Sequence, residues 1–278
     1  MAKKALCIGI NNFKNYPDNS LNGCINDAYD MHAILVKYMG FKDNEIVKLL
    51  DKEATKSNII MYLKEMVEEA KKGKFDDLVF SMSSHGTQLP DTSGDELDRM
   101  DEAFCPYDLA SKGKVWDKDH IISDDELHDL LIQIPENVNL EVYLDTCHSG
   151  TGLRVMEPIP DRQPRYIPPP YQEGFSDFTK EASGDDKAIK ANPTILDAVG
   201  DNHILWAACR ADETSADANI GGEWHGAFTY FFCRSININE NRLSRQELLE
   251  KVVEDLKTNK YSQTPQLECD ATSRSSKK

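Results

Sequence analysis

Leu140-Glu141-Val142-Tyr143-Leu144-Asp145-Thr146-Cys147-His148-Ser149-Gly150 is an apolar run that breaks into small and polar residues around a cysteine. The run reads as a buried strand. A second apolar run, Leu78 to Met82, breaks in the same way into Ser83-Ser84-His85-Gly86. Two strands thus deliver a thiol and an imidazole from their carboxyl ends, the edge of a parallel α/β sheet where reacting groups gather. Two further apolar runs, Lys4 to Ile10 and Ile204 to Cys209, read as strands of the same sheet.

Helical patterns fill the intervals. Asp27 to Met39 carries apolar residues at helical spacing and stops at Gly40, and Thr55 to Lys72 stops at Gly73, both glycines suiting a helix C-terminus. Ser123-x-x-Glu126 and Ser244-x-x-Glu247 have the capping-box spacing ahead of apolar runs. Gly226 to Ser235 reads as another helix. Strand alternating with helix predicts an α/β fold: a mainly parallel central sheet flanked by helices on both faces.

Residues 151–197 interrupt that rhythm. Seven of the twelve prolines lie between Pro158 and Pro193, and loops of this length serve function or disorder. The chain is expected to form a single domain, with a larger part at 1–150, this Pro-rich loop at 151–201 and a smaller part at 202–278.

The chain has 278 residues, 40% hydrophobic and 29% charged, with a net charge of −16. That composition suits a soluble globular protein, and the acidic balance argues against nucleic-acid or anionic-membrane partners. No apolar run approaches the roughly 20 residues of a membrane span. Seven cysteines at scattered spacings, without an export signal, predict free thiols in a reducing cytoplasm.

A thiol beside an imidazole supports cysteine-nucleophile acyl transfer. Cys147 is the candidate nucleophile and His85 the candidate base. His148 adjoins Cys147, but neighbours on a turn point apart, so His85 is the better placed. The backbone N–H groups of Gly86 and Cys147 are the candidate oxyanion donors.

The stretches Gly23-Cys24-Ile25-Asn26-Asp27-Ala28, Ser83-Ser84-His85-Gly86-Thr87-Gln88, Asp95-Glu96-Leu97-Asp98-Arg99-Met100-Asp101-Glu102 and Asp145-Thr146-Cys147-His148-Ser149-Gly150 resemble metacaspases of the prokaryotic kind, the orthocaspases, in the caspase-like clan of cysteine peptidases. Ala207-Ala208-Cys209 and Trp224-His225-Gly226-Ala227-Phe228-Thr229 resemble the family's smaller carboxy-terminal part. The resemblance implies the caspase–hemoglobinase fold and a monomeric endopeptidase acting on proteins or peptides. It implies an acidic pocket that takes the arginine or lysine before the scissile bond, here Asp27 and Asp145 with Cys24 and Ser83 alongside. Paired carboxylates suit a guanidinium, which binds them bidentately. Read alone, Asp27 is equally a helix-start aspartate and Asp145 a turn cap.

The resemblance also implies a calcium site, at Asp101, Asp124 and Asp125. Arg154 stands where a further acidic ligand is expected, so no cofactor is required on this reading. Arg154, Arg162 and Arg165 are candidate processing sites, cut by the enzyme itself or by an upstream trypsin-like protease; the competing reading is a flexible linker with solubilising charge. The rival to an enzyme is a catalytically silent caspase-like scaffold or binding domain.

Overall fold

The computed structural model describes residues 2–90, 100–147, 161–170 and 203–277. Strand β1 (Lys3–Gly9) is followed by helix α1 (Cys24–Tyr38), strand β2 (Ile46–Leu50), helix α2 (Lys56–Lys71) and strand β3 (Asp77–Ser83). Strands β4 (Gly86–Pro90) and β5 (Met100–Phe104) pair antiparallel beyond the end of β3. The short strands β6 (Ser111–Lys112), β7 (Val115–Trp116) and β8 (Ile122–Ser123) lead into helix α3 (Asp124–Leu131) and strand β9 (Asn139–Asp145). Strand β10 (Arg162–Pro164) belongs to the Pro-rich segment. Strands β11 (His203–Ala207), β12 (Ala216–Ile220) and β13 (Glu223–Gly226), helices α4 (Ala227–Asn239) and α5 (Arg245–Thr258), strand β14 (Gln266–Glu268) and helix α6 (Ala271–Ser275) follow.

The main sheet runs β14-β11-β9-β3-β1-β2. Every neighbouring pair is parallel except β11 with the edge strand β14. Alternate side chains of the central strands are buried on opposite faces, which explains why their runs are mainly apolar rather than alternating with polar residues. Leu6, Ile8, Leu78, Phe80, Leu140 and Val142 pack with Ile59, Leu63 and Val67 of α2 and Leu127 and Leu131 of α3. Ala5, Cys7, Val79, Tyr143 and Trp206 pack on the other face with Met31 and Ile34 of α1, Phe228 and Phe232 of α4 and Val252 of α5. Among the described residues, helices thus flank both faces.

The strand and helix expectations hold with end shifts. Helix α1 starts at Cys24 rather than Asp27, and α4 runs on to Asn239. Ser244 and Glu247 form a complete capping box; at Ser123 the side chain accepts from Glu126 N–H. Strand β2, an edge strand with Lys48 at its centre, carries too short an apolar signal to announce itself.

Two features of this frame aim the site. Gly9 ends β1 against the first turn of α1, where an added Cβ would collide with the Cys24 carbonyl. With that close approach, Asn11 Oδ1 accepts from the N–H groups of Cys24 at 2.8 Å and Ile25 at 3.3 Å. It caps a helix whose own N-cap, Gly23, has no side chain to offer. Asp27 is thereby held one turn into α1, at the carboxyl edge of the sheet.

Candidate active site

His85 and Cys147 stand just beyond β3 and β9, which are adjacent, parallel and in register, with Ser83 opposite Asp145. Both are buried. The structure therefore brings the two predicted groups to one edge.

A segment of the chain itself occupies this edge. Arg165, wholly buried, follows directly on β10. Its carbonyl oxygen accepts from Gly86 N–H at 2.9 Å and from Cys147 N–H at 3.3 Å, the two donors expected of an oxyanion hole. Its own N–H donates to the Ser215 carbonyl at 3.0 Å. The following residues run along Gly86, with Tyr166 bridged to it and Ile167 N–H donating to its carbonyl at 3.0 Å.

The Arg165 guanidinium lies among three carboxylates. Nη2 meets Asp27 Oδ2 at 2.7 Å and Asp217 Oδ1 at 3.0 Å, and Nη1 meets Asp145 Oδ1 at 3.2 Å. Nη1 also donates to Ser83 Oγ and to the Asp145 carbonyl. Each carboxylate is fixed from behind. Asp27 accepts from Gly226 N–H and Ser83 Oγ. Asp145 accepts from Ser215 Oγ and from the N–H and hydroxyl of Thr229. Asp217 accepts from Asn22 and Gly23 N–H. Preorganised acceptors of this kind need little rearrangement to receive a guanidinium. Gly226 completes the wall: a Cβ there would collide with Asp145 Oδ2 and the Arg165 guanidinium.

Burial pushes the Asp27 carboxyl up to about 6; Arg165 opposes the rise and Asp145 adds to it. Burial also raises the Cys24 thiol, which feels Arg165, Asp217 and Asp27 and hydrogen-bonds Ser83. Cys24 and Ser83 therefore lie beside the Arg165 guanidinium. Neither Asp27 nor Asp145 is a solvated cap, because both are buried against a cation.

Burial pushes the His85 imidazole down to about 4, against the raising influence of the Asn19 and Arg165 backbones. Nε2 lies 2.8 Å from the Asn19 carbonyl, which orients the ring, while Nδ1 is buried without a hydrogen-bond partner. The Phe13 ring packs at 5.2 Å from the imidazole. Near neutral pH the imidazole is therefore an unprotonated base. The Cys147 sulfur accepts from Ser215 N–H, and Cys147 clusters with Tyr166 and Cys209.

Asp101 is buried on β5, and Asp124 and Asp125 open α3. The Asp124 carboxyl is pushed up to about 7, first by burial and then by the charges of Glu102, Asp125 and Asp101. These carboxylates feel one another's charge, but among the described residues they do not bring three ligand atoms within 4.8 Å of one another, as a shared calcium ion would ask of them. A second group, Asp27, Asp30 and His225, brings three ligand atoms within 4.8 Å of one another, but its Asp27 is already engaged by Arg165 and Gly226. Arg154, His148 and Gly150 lie outside the described residues, as do residues 91–99.

Sequence reasoning missed Asp217, Ser215 and Asn19. Ser215 and Asp217 sit on or beside the short strand β12 with no motif to mark them, and Asn19 acts only through its backbone. Residues 162–164, read as structureless, form a strand.

The model of the caspase domain, a peptidase family, matches residues 2–275. The chain belongs to the caspase-domain family. It is 32% identical to Metacaspase-1 of Botryotinia fuckeliana over 302 aligned residues, covering 96% of this chain and 67% of that protein. It is also 32% identical to Metacaspase-1A of Aspergillus oryzae, with 96% and 67% covered. It therefore spans about two thirds of these fungal metacaspases. A Geobacter sulfurreducens protein of known crystal structure superposes with a TM-score of 0.68 at 25% identity, covering 99% of this chain and 97% of that one. Caspase-1 of Spodoptera frugiperda shares the fold, with a TM-score of 0.58 at 11% identity over 96% of this chain and 86% of the other. Family membership makes this a caspase-like cysteine peptidase. Among the described residues no helix is long and apolar enough to cross a membrane.

Proposed function

We propose that this peptidase cleaves after arginine or lysine, with Cys147 as nucleophile and His85 as proton carrier, and that its own Arg165–Tyr166 bond lies in the cleft as the first substrate. One observation carries the reading. A buried arginine spans three carboxylates while its carbonyl oxygen accepts from both Gly86 and Cys147 N–H. That is the disposition of a residue whose carbonyl is about to be attacked.

The chemistry follows from the groups present. His85 takes the thiol proton, and the Cys147 sulfur bonds to the carbonyl carbon of the residue in the pocket. Charge moves to the carbonyl oxygen, where the Gly86 and Cys147 N–H groups stabilise it; one such donor is worth on the order of 10²–10³ in rate. Collapse breaks the peptide bond as the imidazolium gives its proton to the leaving amine. Water, deprotonated by His85, then releases the acid and restores the thiol. Pocket charge sets preference. Three carboxylates repel an acidic side chain and pair with a basic one.

While Arg165 fills the pocket, no other arginine can enter. The uncut chain is therefore self-blocked, and cleavage after Arg165 frees the pocket entrance. No cofactor takes part in these steps. Asp101, Asp124 and Asp125, the calcium ligands the resemblance implies, would take an ion only if their carboxylates drew closer together, and the ion would then offset the charge they impose on one another. The test of the reading is cleavage of fluorogenic peptides that differ only at the residue before the cut. Arginyl and lysyl peptides are expected to be turned over, aspartyl ones to be refused, and Cys147→Ala to lose about 10⁶ in kcat, as nucleophile removal does elsewhere. Turnover of aspartyl peptides, or retention of activity in Cys147→Ala, would overturn it.

A further inference from the structure

Arg162 is held as deliberately as Arg165. Its guanidinium carbon lies 3.8 Å from the centroid of the Tyr261 ring. Its Nη1 donates to the Lys260 carbonyl at 2.8 Å and its Nη2 to the Asn259 carbonyl at 2.9 Å. Those carbonyls lie just past the C-terminus of α5, whose C-cap is Asn259, where the helix dipole is negative and unpaired carbonyls seek donors. Tyr261 is braced by Phe231 at 5.9 Å. An aromatic face and two convergent carbonyls make a receptor for a planar cation.

The backbone fixes the distance between the two cation sites. Strand β10 pairs antiparallel with β12, with Arg162 opposite Ala218, Gln163 opposite Asp217 and Pro164 opposite Ala216. The segment thus adds a strand to the β12–β13 pair, a recognition mode in which backbone hydrogen bonds fix register and alternate side chains meet pockets. Between the two arginines, Gln163 Nε2 donates to Asp217 Oδ2 at 3.0 Å and to the Ser20 carbonyl at 3.2 Å. Pro164 gives up only an N–H, and the opposing Ala216 N–H is already engaged by Gln263 Oε1.

Resting on the reading that Arg165 lies in the cleft as substrate does, we propose that Tyr261 and the Asn259 and Lys260 carbonyls form a second specificity subsite. It selects peptides with arginine three residues before the arginine at the cut. The substrate class is therefore the spaced dibasic segment Arg-x-x-Arg, of which the chain's own Arg162-Gln163-Pro164-Arg165 is one example. Lysine fits this subsite less well, since it cannot span two carbonyls while lying flat on a ring.

The test uses the full chain carrying Arg162→Ala, taken after its own cut at Arg165 so that the cleft is open and the second subsite is not refilled from within, with its folding verified by thermal melting. Four fluorogenic peptides are compared: Arg-Gln-Pro-Arg, Ala-Gln-Pro-Arg, Glu-Gln-Pro-Arg and Arg-Gln-Pro-Ala. An exposed cation–aromatic contact joined by two carbonyl hydrogen bonds predicts a kcat/KM about ten-fold higher for the first peptide than for the second. The glutamyl peptide should fall below both. Adding Tyr261→Leu should draw the first ratio toward one. Equal cleavage of the first three peptides would overturn the subsite while leaving the arginine pocket standing, provided Arg-Gln-Pro-Ala is refused. Failure to cleave any of the arginyl peptides, or cleavage of Arg-Gln-Pro-Ala as fast as the first, would sink the underlying function and the subsite with it. A second measurement follows the cut itself: Arg162→Ala should slow the chain's own cleavage, and an unchanged rate would count against the subsite.

Discussion

Asp217 Oδ1 lies 3.0 Å from Arg165 Nη2, and neither side chain is accessible to solvent. A carboxylate from β12, in the smaller carboxy-terminal part, thus joins Gly226 of β13 in closing a pocket whose other carboxylates come from α1 and the end of β9. Removing one buried charge from such a set strands its partners, so the three aspartates and the arginine act together.

Asp217→Asn and Asp27→Asn should each lower kcat/KM for arginyl peptides roughly ten- to hundred-fold, since a hydrogen bond to a charged group is worth about 1.5–3 kcal/mol. The loss should fall mainly on KM. Steady-state kinetics at neutral pH checks this, and a fall in kcat at constant KM would place these carboxylates outside substrate binding.

Acid should weaken binding before it stops chemistry. The Asp27 carboxyl lies at about 6 and the His85 imidazole at about 4. That Asp27 value holds with Arg165 in the pocket, whose charge lowers it, so in the emptied pocket Asp27 takes up its proton by the time pH has fallen to 6, while His85 is still a free base. KM for arginyl peptides is expected to climb as pH falls toward 6, with kcat holding to lower pH. In Asp27→Asn the climb near pH 6 should be absent.

Gly226→Ala tests the pocket wall sterically. The backbone at Gly226 has φ −67° and ψ 129°, a conformation alanine adopts freely, so the added methyl acts only through the space it takes. It should expel a guanidinium, lowering kcat/KM for arginyl peptides at least ten-fold and rendering the segment around Arg165 sensitive to an added protease. Full arginyl turnover in this variant would contradict the pocket's position.

Asp124→Asn should stabilise the protein at alkaline pH. The Asp124 folded value, about 7, lies above its ordinary value of 3.8, so the native state holds its proton more tightly than the unfolded chain. Its charge therefore destabilises fully above pH 7, and the penalty lifts as pH falls through 7 toward 4. Thermal melting should give Asp124→Asn a higher Tm at pH 8 and no advantage near pH 4. Millimolar calcium should raise the wild-type Tm at pH 8 and the variant's less; equal shifts would exclude Asp124 as a ligand.

Much of this architecture was legible in the sequence because its cause is local. β1, β3, β9 and β11 are buried on both faces, so their residues are mainly apolar, with exceptions such as Ser81 and Glu141, and their ends are marked by the polar residues that face the site. Cys147, His85, Asp27, Ser83 and Asp145 all sit at or near such ends. What was illegible depends on distant partners. The run Ala216-Asp217-Ala218-Asn219-Ile220 has no strong alternation, and Asp217 becomes a pocket residue only because Gly23 and Asn22 hold it beside α1. Likewise Arg162 to Pro164 has no periodicity of its own. Its order comes from β12 on one side and Tyr261 at its end.

The central claim is that the chain's Arg165 carbonyl is poised for its own Cys147. Intact-mass analysis with amino-terminal sequencing of the purified chain tests it most directly. The account predicts a cut that creates a new amino terminus at Tyr166, absent from Cys147→Ala and lost in Arg165→Ala. A chain that remains whole yet cleaves arginyl peptides at full rate, or one that is cut elsewhere while Arg165–Tyr166 survives, would contradict it.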